Sequence, residues 1–96
     1  MAKNEFRRIR GRNRERIFYD ILCSIIDQER RGFTRITRVQ NEVNLPSDRL
    51  RRHLREMEQL RLVRYRSALA STRKGRDFAS EYKRVIGILK HFGLGD

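Results

Sequence analysis

The sequence predicts a small, mainly helical α+β domain, and three observations carry the prediction. Apolar residues recur at helical spacing in four separate stretches, one short stretch alternates polar and apolar as a strand does, and breaker residues fall between them. Ninety-six residues provide one modest core and too little chain for a second. The expected organisation is a basic arm over residues 1–12, a helical and stranded domain over residues 13–72, and a C-terminal helix with a short tail over residues 73–96.

Residues 1–12 carry Lys3, Arg7, Arg8, Arg10 and Arg12 against Glu5 alone, and besides Met1 and Ala2 their apolar content is Phe6 and Ile9. That is too little to cover a core, so a flexible basic arm ending at Gly11 is expected. From Asn13 the pattern turns helical: Ile17, Ile21, Leu22, Ile25 and Ile26, with Phe18 beside them, predict a first helix over residues 14–29. Asn13 suits its N-cap, and Arg30, Arg31 and Gly32 suit its end. Cys23 lies inside this run and is expected to be an inert core thiol. Tyr19 projects off the stripe and is assigned to rim packing.

Thr34 is placed to cap a second helix over residues 35–43, with Ile36, Val39 and Val43 inward. Asn44, Leu45 and Pro46 form a tight turn, since proline forces the residue before it out of helical geometry. Ser47 then caps a third helix, and the spacing makes a helix-turn-helix. On this third helix, residues 47–60, Asp48, Arg51, Arg52, Arg55 and Gln59 share one face with Arg49 at its flank, while Leu50, Leu54, Met57 and Leu60 lie on the other side. Residues 61–66 alternate as a half-buried strand, Ser67 and Ala68 fit a turn, and residues 69–71 return. Thr72 caps a last helix over residues 73–92, which Gly93 stops. Its Phe78, Tyr82, Val85, Leu89 and Phe92 are spaced 4, 3, 4 and 3, with Ala79 and Ile86 widening the stripe. This is the seam of a two-helix coiled coil, longer than one small domain needs.

The net charge is +12, and arginine outnumbers lysine twenty to four. Such a balance points to a polyanionic partner, and the planar fork of arginine suits phosphate or the O6/N7 edge of guanine. The same face also arises as a solvated surface on a compositionally arginine-rich protein. A membrane surface fits less well, because no stripe of Trp, Phe and Leu accompanies the cations. No transmembrane stretch and no signal-peptide core is visible, and one cysteine excludes an intrachain disulfide, so a cytosolic location, on the nucleoid if DNA is bound, is expected.

The order of elements, with Leu69-Ala70-Ser71-Thr72-Arg73-Lys74-Gly75 running on into Arg76-Asp77-Phe78, resembles the winged helix-turn-helix DNA-binding family. Many members close the wing with a strand that enters a Thr-x-Lys-Gly helix start, and Thr72, Lys74 and Gly75 fill those positions. The chain looks most like small archaeal members whose C-terminal helix pairs two subunits through an antiparallel coiled coil, and the resemblance covers residues 13–92. It implies DNA contacts from Ser47, Arg49, Arg51, Arg52 and Arg55, with Arg51 and Arg52 best placed for base edges. It implies backbone-positioning contacts from Thr37, Arg38 and Asn41, and from Arg64 and Arg66 on the wing. The dimer set is Tyr82, Val85, Ile86, Leu89 and Phe92.

Enzymatic chemistry finds no support. His53 and His91 are far apart, no CxxC or HxxxH pair exists, and the six glycines are scattered without a phosphate loop. His53 falls on the inward side of its helix, where a hydrogen-bonded packing role is expected. No cofactor and no small-molecule substrate are expected. The reading is a dimeric double-stranded DNA-binding protein, a transcriptional regulator or a nucleoid protein, tolerant of sequence or specific for it. The alternatives are an RNA-binding or ribosome-associated basic module, with Phe6, Tyr19 and Tyr65 as stacking candidates, and a protein-interaction module.

Overall fold

A computed structural model of the protein describes residues 12–95. In chain order these form α1 (Arg14–Arg31), α2 (Ile36–Val43), α3 (Ser47–Gln59), β1 (Val63–Tyr65), β2 (Leu69–Ser71) and α4 (Arg73–His91). The expected arm lies outside the described residues except for Arg12, which is part of the domain. Its guanidinium donates to Asp20 Oδ2 at 2.8 Å and to the Val43 carbonyl at 2.9 Å, tying α1 to the end of α2.

The central element is α1. Asn13 caps it, accepting from the Arg16 amide at 2.8 Å, and Gly32 at φ 137 lets the chain leave. Ile17, Phe18, Ile21, Leu22 and Ile25 are buried along one stripe, against Val39 and Val43 of α2, Leu50, Leu54 and Met57 of α3, Val63, Leu69 and Ala79. Burying each aliphatic side chain of this kind is worth roughly 1.5–3 kcal/mol. Cys23 is exposed, contrary to expectation. It stands two residues from Ile25, which at 3.6 residues per turn turns it roughly 160° away from the core.

Polar side chains of α1 dock the rest of the fold. Gln28 is buried; its Oε1 accepts from the Arg35 amide at 2.8 Å and its Nε2 donates to Ser24 Oγ at 3.1 Å. Ser24 in turn donates to Glu42 Oε1 at 2.6 Å, so both ends of α2 are held by α1. This overturns the cap expected from Thr34. Its hydroxyl is buried without a hydrogen bond, and Arg35 occupies the N-cap with no side-chain bond; the start of the helix is instead held by Gln28 through the Arg35 amide. Ser47 is likewise the first helical residue and not a cap, with Pro46 ahead of it at φ −62 and no side-chain cap bond. Between them Asn44 takes the left-handed conformation, φ 58 and ψ 53, that closes the turn.

The end of α3 differs from the sequence expectation in an instructive way. Arg61 adopts φ 64, and the Leu62 amide bonds back to the Met57 carbonyl at 2.8 Å. A left-handed residue at this position swings Leu62 inward, where it is 6% exposed, and leaves Leu60, expected in the core, 39% exposed. It also shortens the expected strand over residues 61–66 to β1. For a residue with a side chain this conformation costs about 1–2 kcal/mol. β1 and β2 pair antiparallel, Val63 with Ser71, Arg64 with Ala70 and Tyr65 with Leu69. Glu29 of α1 pins the ribbon from beneath, accepting from the Ser71 amide at 2.8 Å and its hydroxyl at 2.7 Å.

The Thr72-x-Lys74-Gly75 start of α4 is a joint between α3 and α4. Thr72 Oγ1 accepts from the Gly75 amide at 3.0 Å, capping α4, and donates to the Arg61 carbonyl at 2.6 Å. Lys74 Nζ donates to the Leu60 carbonyl at 2.9 Å, at the negative end of α3. A β-carbon at Gly75 would be driven into the backbone carbonyl of Leu62. No helix among the described residues is long and apolar enough to cross a membrane.

Candidate nucleic-acid interface

α3 is amphipathic in a direct physical sense. Leu50, Leu54 and Met57 are buried, which fixes the rotation of the helix, and that rotation turns Arg49, Arg51, Arg52 and Arg55 into solvent. No ion pair or hydrogen bond to a described residue engages any of these four guanidiniums. Three other surface arginines are matched: Arg14 with Glu56 at 3.1 Å, Arg31 with Asp27 at 3.3 Å, Arg84 with Glu81 at 3.0 Å. Asp48 sits in the first turn of α3 and favours the positive helix end.

His53 lies beneath this face, half-buried, with its ring edge-on to Phe18 at 6.0 Å. Its Nδ1 stands 3.6 Å from Glu56 Oε1, too long for a hydrogen bond, so the hydrogen-bonded role expected of it is not made at that atom. Burial lowers its pKa below the ordinary value, and the charges of Arg49 and Arg52 lower it further against the pull of Glu56. His53 is therefore neutral at neutral pH and adds nothing to the positive face.

Arg64 is exposed on β1, and Arg66 follows the strand with its side chain 86% exposed. Glu58 of α3 couples this ribbon to the helix, accepting from the Tyr65 amide and from Arg66 Nε, each at 3.3 Å. Since Glu58 is three residues beyond Arg55 and seven beyond Arg51, it carries Arg66 to the edge of the same helical face. Ser47 is exposed at the start of α3. Thr37, Arg38 and Asn41 are exposed on α2, but they line a cleft of about 510 Å³ with Arg31, Phe33 and Arg35. Phe33 is 65% exposed with the Arg35 guanidinium 4.9 Å over its ring. Sequence reasoning missed Phe33 and Arg35, because an irregular connection has no periodicity to reveal which side it shows.

The dimer set divides. Gly75 and Ala79 are buried and Tyr82 and Ile86 half-buried, a seam turned toward the body of the domain; Tyr82 packs on Tyr19 of α1 at 5.1 Å and stacks on Phe78 at 5.6 Å. Tyr82 is thus engaged within the chain. A second stripe, roughly a quarter-turn away, holds Val85 at 48% exposure, Ile88 at 55%, Leu89 at 39% and Phe92 at 72%. Ile88 belongs to it although the 4-3-4-3 spacing passed over it. Burial pushes the Tyr19 phenol up to about 12, helped by the Cys23 thiol, and partial desolvation beside that ring raises the thiol of the otherwise exposed Cys23.

Among the described residues no group of three His, Cys, Asp or Glu side chains is disposed to hold a metal ion. No protein-family model, no curated protein and no solved structure matches the chain.

Proposed function

We propose that the protein is a dimeric double-stranded DNA-binding protein of the winged helix-turn-helix kind, a transcriptional regulator or nucleoid protein. In this reading α3 enters the major groove, Arg64 and Arg66 lie along the backbone, and the free stripe of α4 pairs with a second copy. The observation that carries it is the row Arg49, Arg51, Arg52 and Arg55, exposed and without ion pairs to described residues on a helix anchored by its opposite face. Like charges crowded on one helix repel, and phosphates relieve that repulsion. A helix about 10–12 Å across fits a major groove about 12 Å wide.

The RNA alternative needs aromatic rings free to stack on unpaired bases. Tyr19 is taken up by Tyr82, Tyr65 is half-buried and Phe6 lies outside the described residues; the exposed phenyl rings among the described residues are Phe33, one face of it under Arg35, and Phe92 on the apolar stripe of α4. A titration of duplex DNA against salt, with single-stranded RNA as competitor, tests the choice. If a dimer neutralises about 6–10 phosphates, affinity falls about 10³–10⁵-fold between about 50 and 200 mM salt. A flat response, or preference for the RNA, rejects the proposal. Selection from random duplexes separates the two roles: one enriched motif marks a regulator, uniform recovery an architectural protein.

A further inference from the structure

A second concentration of positive charge adjoins the outward face of α3 where Glu58 holds Arg66. Between β1 and the first turn of α4 is a cleft of about 600 Å³ whose rim carries Arg61, Arg64, Arg66, Arg73, Lys74 and Arg76, with Glu58 as its one carboxylate. Three of these cations have partners in the fold. Lys74 is bound to the Leu60 carbonyl, Arg66 to Glu58, and Arg76 Nη1 to the Ser71 hydroxyl and carbonyl at 3.1 and 3.3 Å. Arg61, Arg64 and Arg73 are exposed and make no ion pair or side-chain hydrogen bond to a described residue.

Two features set this cleft apart from an ordinary solvated basic surface. The single carboxylate is already engaged twice, by Arg66 and the Tyr65 amide, so nothing within the cleft neutralises the remaining charge. Arg61, moreover, stands at φ 64, where glycine sits without strain. An arginine there is unfavourable for the backbone and adds charge to a place already crowded with it. The crowding of charge is relieved by one kind of ligand, an extended polyanion, and that relief offsets the backbone cost of placing an arginine there.

We propose that this cleft binds backbone phosphate of duplex DNA, through Arg61, Arg64 and Arg73, as a second attachment beside α3. The inference deepens the reading that the protein binds DNA and rests on it. Because Glu58 ties the ribbon to α3, the two basic surfaces keep a fixed relation, and a single duplex meets both. The contact is with phosphate alone, so it adds affinity equally to every sequence.

The test uses the full chain in three variants: Arg61→Gly, the double variant Arg64→Ala with Arg73→Ala, and the α3 double variant Arg51→Ala with Arg52→Ala. Each is titrated with a random-sequence duplex at several salt concentrations and, separately, with inorganic tripolyphosphate. Removing each phosphate contact lowers the slope of log affinity against log salt by about 0.9, and a dimer carries each substitution twice, so the slope falls by about 2 for Arg61→Gly and about 4 for the cleft double variant, with all sequences weakened alike. Arg61→Gly also melts at a higher temperature than the parent while binding less DNA, an outcome a purely structural arginine would not give. Unchanged duplex binding by both cleft variants, with loss in the α3 variant, overturns the cleft and leaves the α3 reading standing. Loss in the cleft variants with none in the α3 variant supports the cleft and overturns the placement of α3 in the groove. Cleft-dependent binding of tripolyphosphate without any duplex binding overturns the assignment to DNA in favour of a free polyphosphate.

Discussion

α3 and α4 are built on the same plan and end with opposite surpluses. Each is fixed in the fold by one buried stripe, Leu50, Leu54 and Met57 in the first, Gly75 and Ala79 in the second. Beyond that stripe α3 shows guanidinium groups without partners among the described residues, whereas the C-terminal half of α4 shows Val85, Ile88, Leu89 and Phe92. The two surfaces place opposite demands on solvent. An uncompensated cationic row is soluble and costs little until an anion arrives, while an exposed apolar stripe is unfavourable at all times and favours association whatever else is present. The contrast separates the two proposals: DNA contact on α3 is conditional on salt, pairing through α4 on concentration.

The joint between the helices is where both surfaces fail together, and it carries the largest expected effect. Gly75→Ala forces a methyl group against the Leu62 carbonyl, and backbone cannot step aside as a side chain can. A loss of about 3 kcal/mol in a urea melt is expected, at the upper end of overpacking costs, with DNA binding and self-association lost in parallel. Retention of either property in a destabilised variant would show that the two surfaces do not depend on one joint.

Arg51→Ala with Arg52→Ala sharpens the contrast from the α3 side. Each arginine is expected to contribute about 1–3 kcal/mol to duplex binding if it reaches a base edge, while the melting temperature stays level or rises as like charges are removed. Arg84→Ala, on the outer surface of α4 and paired with Glu81, serves as the control and changes binding little.

From the α4 side, Leu89→Glu places a charge in the exposed stripe. Light scattering is expected to report a folded monomer whose stability at low concentration lies within about 0.5 kcal/mol of the parent, as for ordinary surface substitutions. If the parent protein is itself monomeric at high concentration, the stripe has another occupant and the comparison loses its second half.

The features legible in the sequence were those whose causes are local. Asn13 and Thr72 cap the helices they precede, Pro46 places the break before α3, and the alternation of arginine and leucine in α3 gives both its faces. What escaped depends on distant partners or on backbone geometry. Thr34 was a reasonable cap until Gln28, buried on another helix, proved to serve the neighbouring amide. Leu60 fits the apolar stripe of α3 by spacing, yet the left-handed Arg61 ends the helix and gives its place to Leu62. One heptad pattern in α4 concealed two stripes, because the 3-4 spacing of Gly75, Ala79, Tyr82 and Ile86 runs beside that of Val85, Leu89 and Phe92, and the pattern took Tyr82 from the first and the rest from the second. The cleft cations Arg61, Arg73 and Arg76 come together only when the ribbon folds back on the start of α4.

The smallest effect concerns pH. Burial depresses the His53 pKa, so the unfolded chain takes up its proton first on acidification. The contribution of neutral His53 is complete above the unfolded value of about 6.5 and is lost as pH falls from there through the folded pKa. A melting temperature that declines over this window in the parent and is flatter in His53→Gln is expected. Because Arg49 and Arg52 also lower this pKa, bound DNA, by screening them, should raise it, and a histidine proton titration by nuclear magnetic resonance with and without duplex reads that shift directly.

The hydrogen-bond chain from the Arg35 amide through Gln28 and Ser24 to Glu42 has a consequence for the order of folding. α2 is eight residues long, below the length at which an isolated helix persists in water, and its first turn has no cap of its own. Its template is α1, whose side chains hold both ends of α2. The short helix therefore has no independent life: it forms after α1 and opens whenever α1 opens. Hydrogen exchange at the Arg35 amide should follow the exchange of the middle of α1 and not that of the loops beside it, and Gln28→Leu should uncouple the two, releasing α2 as the least protected helix of the domain.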